Sequence, residues 1–105
     1  MPWVYLVIAG LFEVCWAIGL KYTEGWTRLW PSLFTVVTMV ASFYCLAMAI
    51  KTIPIGTGYA IWTGIGAVGT AALGMYLFHE PATFPRFACI GLIVAGILGL
   101  KLTAT

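Results

Sequence analysis

Residues Trp3–Leu20 read WVYLVIAGLFEVCWAIGL, an apolar run that Lys21 closes and only Glu13 interrupts with a charge. A helix rises about 1.5 Å per residue and needs about 20 apolar residues to cross the hydrocarbon core of a bilayer. The run therefore predicts a membrane-spanning helix that carries one carboxylate. Because ionisable side chains inside such helices are rare and usually functional, Glu13 is the first candidate functional residue.

The rest of the chain repeats this pattern. Helices are predicted over about 3–20, 29–50, 55–78 and 85–102, and every charged residue except Glu13 lies between these helices or near one of their ends. Pro31 falls in the first turn of its helix, where a missing N–H costs nothing. The connections are short and hold no soluble domain. We expect an all-α fold with four transmembrane helices per chain, in which residues 1–105 form a single integral membrane domain.

Composition excludes other classes of protein. The chain is 63% hydrophobic and 8% charged, whereas a soluble domain is about 45–50% apolar and about 25% charged. A net charge of +2 without a basic cluster gives no footprint for nucleic acid. Cys15, Cys45 and Cys89 lie far apart in apolar runs, which is typical of neither a disulfide framework nor a zinc site. We expect no metal and no cofactor.

The positive charges are almost balanced across the membrane. Four helices place Lys51 and Lys101 on the side of the termini, and Lys21, Arg28 and Arg86 on the other side. Orientation normally follows the Lys and Arg bias of the loops. Two charges against three give almost no bias, and one explanation is insertion in both orientations (dual topology), which would give an antiparallel homodimer. The alternative is that lipid or the free N-terminus decides the orientation.

Size also favours an oligomer, because four helices enclose too narrow an interior for a solute path. Two copies would give an eight-helix unit with a central cavity. The last helix carries a stripe of small residues, and such stripes let helix backbones approach closely in lipid. The stripe either contacts a second subunit or packs within its own. Its members are Ala88, Gly91, Ala95 and Gly99.

Glu13 has no charged partner in the predicted helices. An ionised carboxylate there costs about 2.5–3.5 kcal/mol, and Lys21 lies about 12 Å farther along the axis, too far to pair. Desolvation disfavours the charged form, so the group can trade a proton for a cation. A permanently protonated acid that bonds a neighbouring helix is an alternative. A catalytic carboxylate would need a second acid, base or metal ligand, so we expect no enzyme.

The Glu13 carboxylate has candidate neighbours on its own helix and on the next two. Small side chains would leave space beside it, Ser42 could donate a hydrogen bond to it, and aromatic faces could hold a cation. Ordinary interhelical packing would explain the same side chains. The candidates for a substrate and proton site beside Glu13 are Gly10, Trp16, Ser42, Tyr59 and Trp62.

Glycine is frequent in the third predicted helix. Gly64 and Gly66 lie at its middle, and glycine weakens a helix at such a point. A hinge there would suit a protein that opens alternately to the two sides of a membrane. Close packing against another helix is the alternative.

Taken together, these residues resemble the small multidrug resistance family over essentially the whole chain. The resemblance rests on four helices, the lone glutamate in the first, and the segment Pro54–Gly66, PIGTGYAIWTGIG. It implies a multi-pass protein of the bacterial inner membrane, active as an antiparallel homodimer with dual topology. It also implies export of cations in exchange for protons through the Glu13 carboxylates of both subunits.

Within that family the chain is similar to the guanidinium exporter subtype, also called SugE-like. Phe12–Ala17, FEVCWA, and Ser42–Tyr44, SFY, carry this similarity. It implies that Trp16, Ser42, Tyr59 and Trp62 surround the glutamate and that guanidinium is exported by antiport with protons. A broader quaternary ammonium and multidrug exporter is the alternative. A structural membrane subunit and a passive channel are the remaining interpretations.

Overall fold

Four long helices make up the part of the chain that the structure, a computed structural model, describes, namely residues 2–103. Each is long and apolar enough to cross a membrane. The predicted all-α fold with four such helices is confirmed. The helices are α1 (Pro2–Tyr22), α2 (Leu29–Ala49), α3 (Ile55–Leu77) and α4 (Phe84–Thr103).

Prolines mark where helices begin. Pro54 stands immediately before α3, and its carbonyl accepts a hydrogen bond from the Gly58 N–H at 2.9 Å. Helix α4 begins at Phe84 and takes Pro85 into its first turn. A proline is tolerated there because the first N–H groups of a helix have no intrahelical acceptor. Helix α4 thus starts at residue 84, one residue before the predicted start at about residue 85.

A threonine orders the connection between α1 and α2. The buried Thr23 hydroxyl donates to the Leu20 carbonyl at 2.7 Å and accepts from the Trp26 N–H at 3.2 Å. Gly25 has a φ of +73°, a conformation that glycine adopts without steric cost. The chain can therefore reverse direction within a few residues and return along α1.

Helix α1 lies at the centre of the protein, because it packs against both α2 and α3, which contact each other little. Helix α4 packs against α3, and its Lys101 side chain lies over the Trp3 ring of α1. The chain is 17 Å across its thinnest direction, less than two helix diameters of about 10–12 Å. The helices of one chain therefore form a layer that is too thin to surround a central cavity.

The core is small and sits toward the end of the bundle at which α2 passes into α3. Partly buried side chains pack on it from α1, α2, α3 and α4. Trp62 belongs both to this core and to the predicted site. The buried members are Leu6, Ala9, Ala49, Ile53, Ile61 and Trp62.

No residue of α4 is buried. Its inner face reaches α3 at Gly64, where an added Cβ would lie 2.8 Å from Ile97 Cδ1. Its outer stripe is open, since a Cβ at Gly91 or Gly99 would meet nothing within 4 Å. Neither glycine therefore packs against its own chain, and the contact of this stripe with a second subunit stays a prediction.

Candidate functional site

Glu13 lies near the middle of α1 with its carboxyl group turned against α3. Its Oε1 atom is buried and has no hydrogen-bond partner. The carboxyl group contacts Gly66 so closely that a Cβ built on Gly66 would overlap it. Only glycine permits this approach, and it lets the carboxylate lie on the backbone of α3.

The described residues provide no countercharge for this carboxylate. Their ion pairs lie at the ends of helices and in the connections, and Lys21 Nζ stands 5.5 Å above the Phe78 ring. A cation or proton that reaches a buried carboxylate without a partner stabilises it. The two ion pairs in residues 2–103 are Glu24–Arg28 at 3.7 Å and Glu80–Arg86 at 3.1 Å.

Ser42 joins three helices through one hydroxyl group. It is fully buried, donates to the Ala9 carbonyl of α1 at 2.7 Å, and accepts from Trp62 Nε1 of α3 at 2.9 Å. The expected hydrogen bond from Ser42 to the Glu13 carboxylate is not the one that forms. In an α-helix the Ala9 carbonyl already accepts from the Glu13 N–H, and its second lone pair is free for Ser42.

Ser42 therefore contacts the backbone of the α1 turn that precedes Glu13, not the carboxylate. The same hydroxyl accepts the hydrogen bond of the Trp62 indole. Trp62 is only 6% exposed, so its N–H would be costly to leave without an acceptor.

Four aromatic rings run in a row from α3 across α2 to α1. The ring centroids are 5.5 Å apart for Tyr59 and Trp62, 5.7 Å for Trp62 and Phe43, and 6.3 Å for Phe43 and Trp16. These separations and the tilted planes are those of favourable aromatic pairs. We call these four residues the aromatic row. Their faces carry negative potential, which attracts cations.

The aromatic row is open on one side of the chain. Tyr59 is 57% and Phe43 48% exposed, whereas the Nε1 atom of Trp16 is buried and has no acceptor. Phe43 was not predicted as a site residue. Its only signal in the sequence is that it directly follows Ser42.

Gly10 serves the packing of α1 on α3. A Cβ on Gly10 would lie 2.5 Å from Ile65 Cγ2, so its observed contact is with α3 rather than with a space beside the carboxylate. The same close approach recurs one turn later, where Val14 covers Gly69. Gly66 lies between these two contacts, and the line of small residues brings α3 within reach of Glu13.

Gly64 and Gly66 lie within an unbroken α3. Both are buried, one beneath Ile97 and the other beneath Glu13. These contacts account for glycine at both positions by close packing. The hinge at Gly64 and Gly66 stays a prediction. Residues 2–103 contain no group of three or more His, Cys, Asp or Glu side chains that could hold a metal ion.

Comparison with known proteins decides the family. The family model described as Small Multidrug Resistance protein matches residues 1–93. The chain belongs to the small multidrug resistance family. Its membership and its four spanning helices make it a multi-pass protein of the bacterial inner membrane.

Several members of the small multidrug resistance family are similar over their full length. A protein of Yersinia pseudotuberculosis serotype I named guanidinium exporter is 60% identical over 104 residues, covering 99% of this chain and 100% of the relative. The guanidinium exporter of Salmonella typhimurium is 59% identical over 99% of both chains. That of Citrobacter freundii is 57% identical over 98% of both. The resemblance predicted from the sequence is confirmed.

We expect Ser42→Ala to destabilise this family member by about 1–3 kcal/mol, because it leaves the Trp62 N–H buried without an acceptor. Thermal unfolding in detergent measures the loss. Trp62→Phe removes the N–H, so the two substitutions should couple by about 1 kcal/mol in a double-mutant cycle. Ser32→Ala is the matched control, since the Ser32 hydroxyl is buried without a partner. Additive effects of Ser42→Ala and Trp62→Phe would contradict the interaction.

Proposed function

We propose that the chain is a proton-coupled antiporter that exports guanidinium and related small guanidinyl cations. One observation carries the proposal: a carboxylate oxygen of Glu13 is buried in an apolar helix bundle with neither a hydrogen-bond partner nor a countercharge among the described residues. Relatives named guanidinium exporter, 57–60% identical over nearly the whole chain, support the choice of substrate. Binding and exchange, not catalysis, are the chemistry.

The geometry of guanidinium suits this site. Guanidinium is planar, permanently charged near neutral pH, and presents paired N–H donors that match the two oxygens of a carboxylate. It also stacks on aromatic faces. Glu13 would hold the fork of donors while Trp16 and Trp62 wall the plane of the cation.

Competition for Glu13 supplies the coupling. Guanidinium binds only the deprotonated carboxylate, and a proton removes the charge that holds the cation. Each ligand therefore displaces the other. External protons would release guanidinium outside, and the protonated site would then return to the inside. Bending of α3 at Gly64 and Gly66 would accompany the change of access.

We infer further that the working unit is an antiparallel eight-helix homodimer with paired Glu13 carboxylates, each chain being a single integral membrane domain. The open aromatic row, the uncovered stripe of α4 and the 17 Å thickness of one chain support a second copy. The near-tie of positive charges supports dual topology. In such a dimer the inward and outward states are one structure with the subunit roles exchanged.

Gly91→Leu tests the subunit contact. A leucine there meets no atom of its own chain within 4 Å of the new Cβ, so the fold should persist while the dimer weakens by at least about tenfold in Kd. Light scattering in detergent, and chemical crosslinking that does not use cysteine, measure the oligomeric state. Ile90→Leu, a volume-conserving change on the face toward α3, is the control. A dimer unaffected by Gly91→Leu would place the contact elsewhere.

Liposomes that hold only this chain test the function. An imposed guanidinium gradient should drive protons in the opposite direction, as a pH-sensitive dye trapped inside reports. Guanidinium flux without proton counterflow would identify a passive channel. Absence of both fluxes would identify a structural subunit.

The aromatic row favours one second candidate, a broader quaternary ammonium or multidrug cation exporter. Such cations lack N–H donors and bind through aromatic faces, which Phe43 extends beyond Trp62. The same liposomes, loaded with a bulky aromatic cation instead of guanidinium, separate the two functions by which cation drives the larger proton flux.

A further inference from the structure

A cavity of about 360 Å³ opens between α1 and α3. It lies on the side of Glu13 toward the connections that follow these two helices. Its wall includes Ala17 from α1 and Thr70 from α3, and Lys21 and Glu80 stand at its outer end. No member of the aromatic row is among the residues that line it. We call it the α1–α3 cavity.

Thr70 differs from three other threonines of the helices. The hydroxyl groups of Thr35, Thr38 and Thr103 each donate to the carbonyl four residues earlier, at 2.8, 2.9 and 2.8 Å. The Thr70 hydroxyl is buried and has no partner, and Thr70 is one of the residues that line the cavity. A buried hydroxyl without a partner calls for a polar occupant, and the cavity exceeds many times the roughly 30 Å³ that one water takes.

The inner end of the cavity lies one helical turn from the carboxylate. Ala17 is one turn beyond Glu13 on α1, and Thr70 is one turn beyond Gly66, the residue on which the carboxyl group rests. A turn advances about 5.4 Å. One or two waters, with O···O separations of about 2.8 Å, bridge such a gap.

The outer end of the cavity is charged. Lys21 and Glu80 are the ionisable side chains among its described lining residues, and Arg86 holds Glu80 at 3.1 Å. Lys21 Nζ lies 5.5 Å over the ring of Phe78, which also lines the cavity. Helix α2 contributes nothing to the lining. The charged groups stand at the ends of α1 and α3, and the lining between them and Thr70 is mostly apolar.

We propose that the α1–α3 cavity is a hydrated proton entry in which the Thr70 hydroxyl relays protons between water at the Lys21–Glu80 mouth and Glu13. The relay balances without redox change. The excess proton of a hydronium ion at the mouth bonds to Thr70 Oγ1, leaving neutral water, as the original hydroxyl proton leaves for an inner water or for the Glu13 carboxylate, which it neutralises. The proposal rests on the proposed antiport and deepens it, because protons would then reach Glu13 by a route apart from the aromatic row.

Thr70→Val tests the relay, since valine keeps the shape and removes the hydroxyl. We expect guanidinium-driven proton movement in liposomes to slow by about fivefold or more, with guanidinium affinity at fixed pH unchanged within about twofold, as binding at the aromatic row needs no Thr70. Thr70→Ser should restore the wild-type rate. Thr38→Val is the matched control, because its hydroxyl is satisfied within its own helix.

Ala67→Leu is the second variant, and it tests the proposed proton entry if Thr70→Val does not fold. It fills the cavity from the α3 wall and leaves the hydroxyl in place, so proton movement should slow as for Thr70→Val. Wild-type rates in Thr70→Val or Ala67→Leu, or equal slowing by Thr70→Ser or Thr38→Val, would overturn the relay. A wild-type chain that exports guanidinium without moving protons would instead overturn the proposed antiport.

Discussion

Glu13→Gln is expected to insert and fold like the wild type and to lose guanidinium-driven proton movement. The amide has nearly the same shape but can neither release a proton nor offer a negative charge. Removing one partner of a buried ion pair costs about 3–5 kcal/mol. Guanidinium affinity should therefore fall by more than about a hundredfold.

Binding and flux should be measured together for this variant. Tryptophan fluorescence reports guanidinium binding, because Trp16 lies one turn from Glu13 on α1 and Trp62 one turn from Gly66 on α3. The liposome assay reports proton movement. Glu24→Gln is the control, since Glu24 is exposed and pairs with Arg28 outside the membrane-spanning helices. Coupled flux that survived Glu13→Gln would remove this carboxylate from the mechanism.

Gly66→Ala is expected to have the second largest effect, although it adds a single methyl group. The new Cβ would overlap the Glu13 carboxyl group, so either the carboxyl moves or α1 and α3 separate. Overpacking of this kind costs about 1–3 kcal/mol. Coupled transport should fall by at least about tenfold, because the carboxylate no longer lies where the cation and proton compete.

Gly56→Ala is the control for Gly66→Ala, because an added Cβ at Gly56 meets nothing within 4 Å. Alanine is a better helix former than glycine by about 1 kcal/mol, so this control should be neutral or slightly stabilising. Thermal unfolding measures the stability of both variants, and the tryptophan fluorescence assay measures their guanidinium binding. Wild-type binding in Gly66→Ala would mean that the close contact between Gly66 and the carboxyl group is dispensable.

The sequence predicts the helices well because each is a separate physical unit. An apolar run of spanning length can satisfy its backbone hydrogen bonds in lipid only as a helix, and Pro54 marks the start of α3 without help from the rest of the chain. At α4 the sequence is ambiguous, since Pro85 is compatible with several positions in a first turn.

The site is predicted less completely because its contacts depend on how the helices are rotated and paired. Glu13 identifies itself, since its charge conflicts with its surroundings. The acceptor of Ser42 is a backbone carbonyl, that of Ala9, and a carbonyl has no signature in sequence. Gly10 was expected beside the carboxylate but packs on Ile65, because spacing gives a face of α1 without saying which neighbour covers it.

Helix α4 contributes none of the buried core, which lies in α1, α2, α3 and the connection at Ile53. It docks on α3 through Ile97 over Gly64 and places Lys101 over the Trp3 ring of α1. A chain whose α4 detached would therefore keep its buried core, and substitutions on the flank that carries Gly91 and Gly99 can be made without disturbing that core.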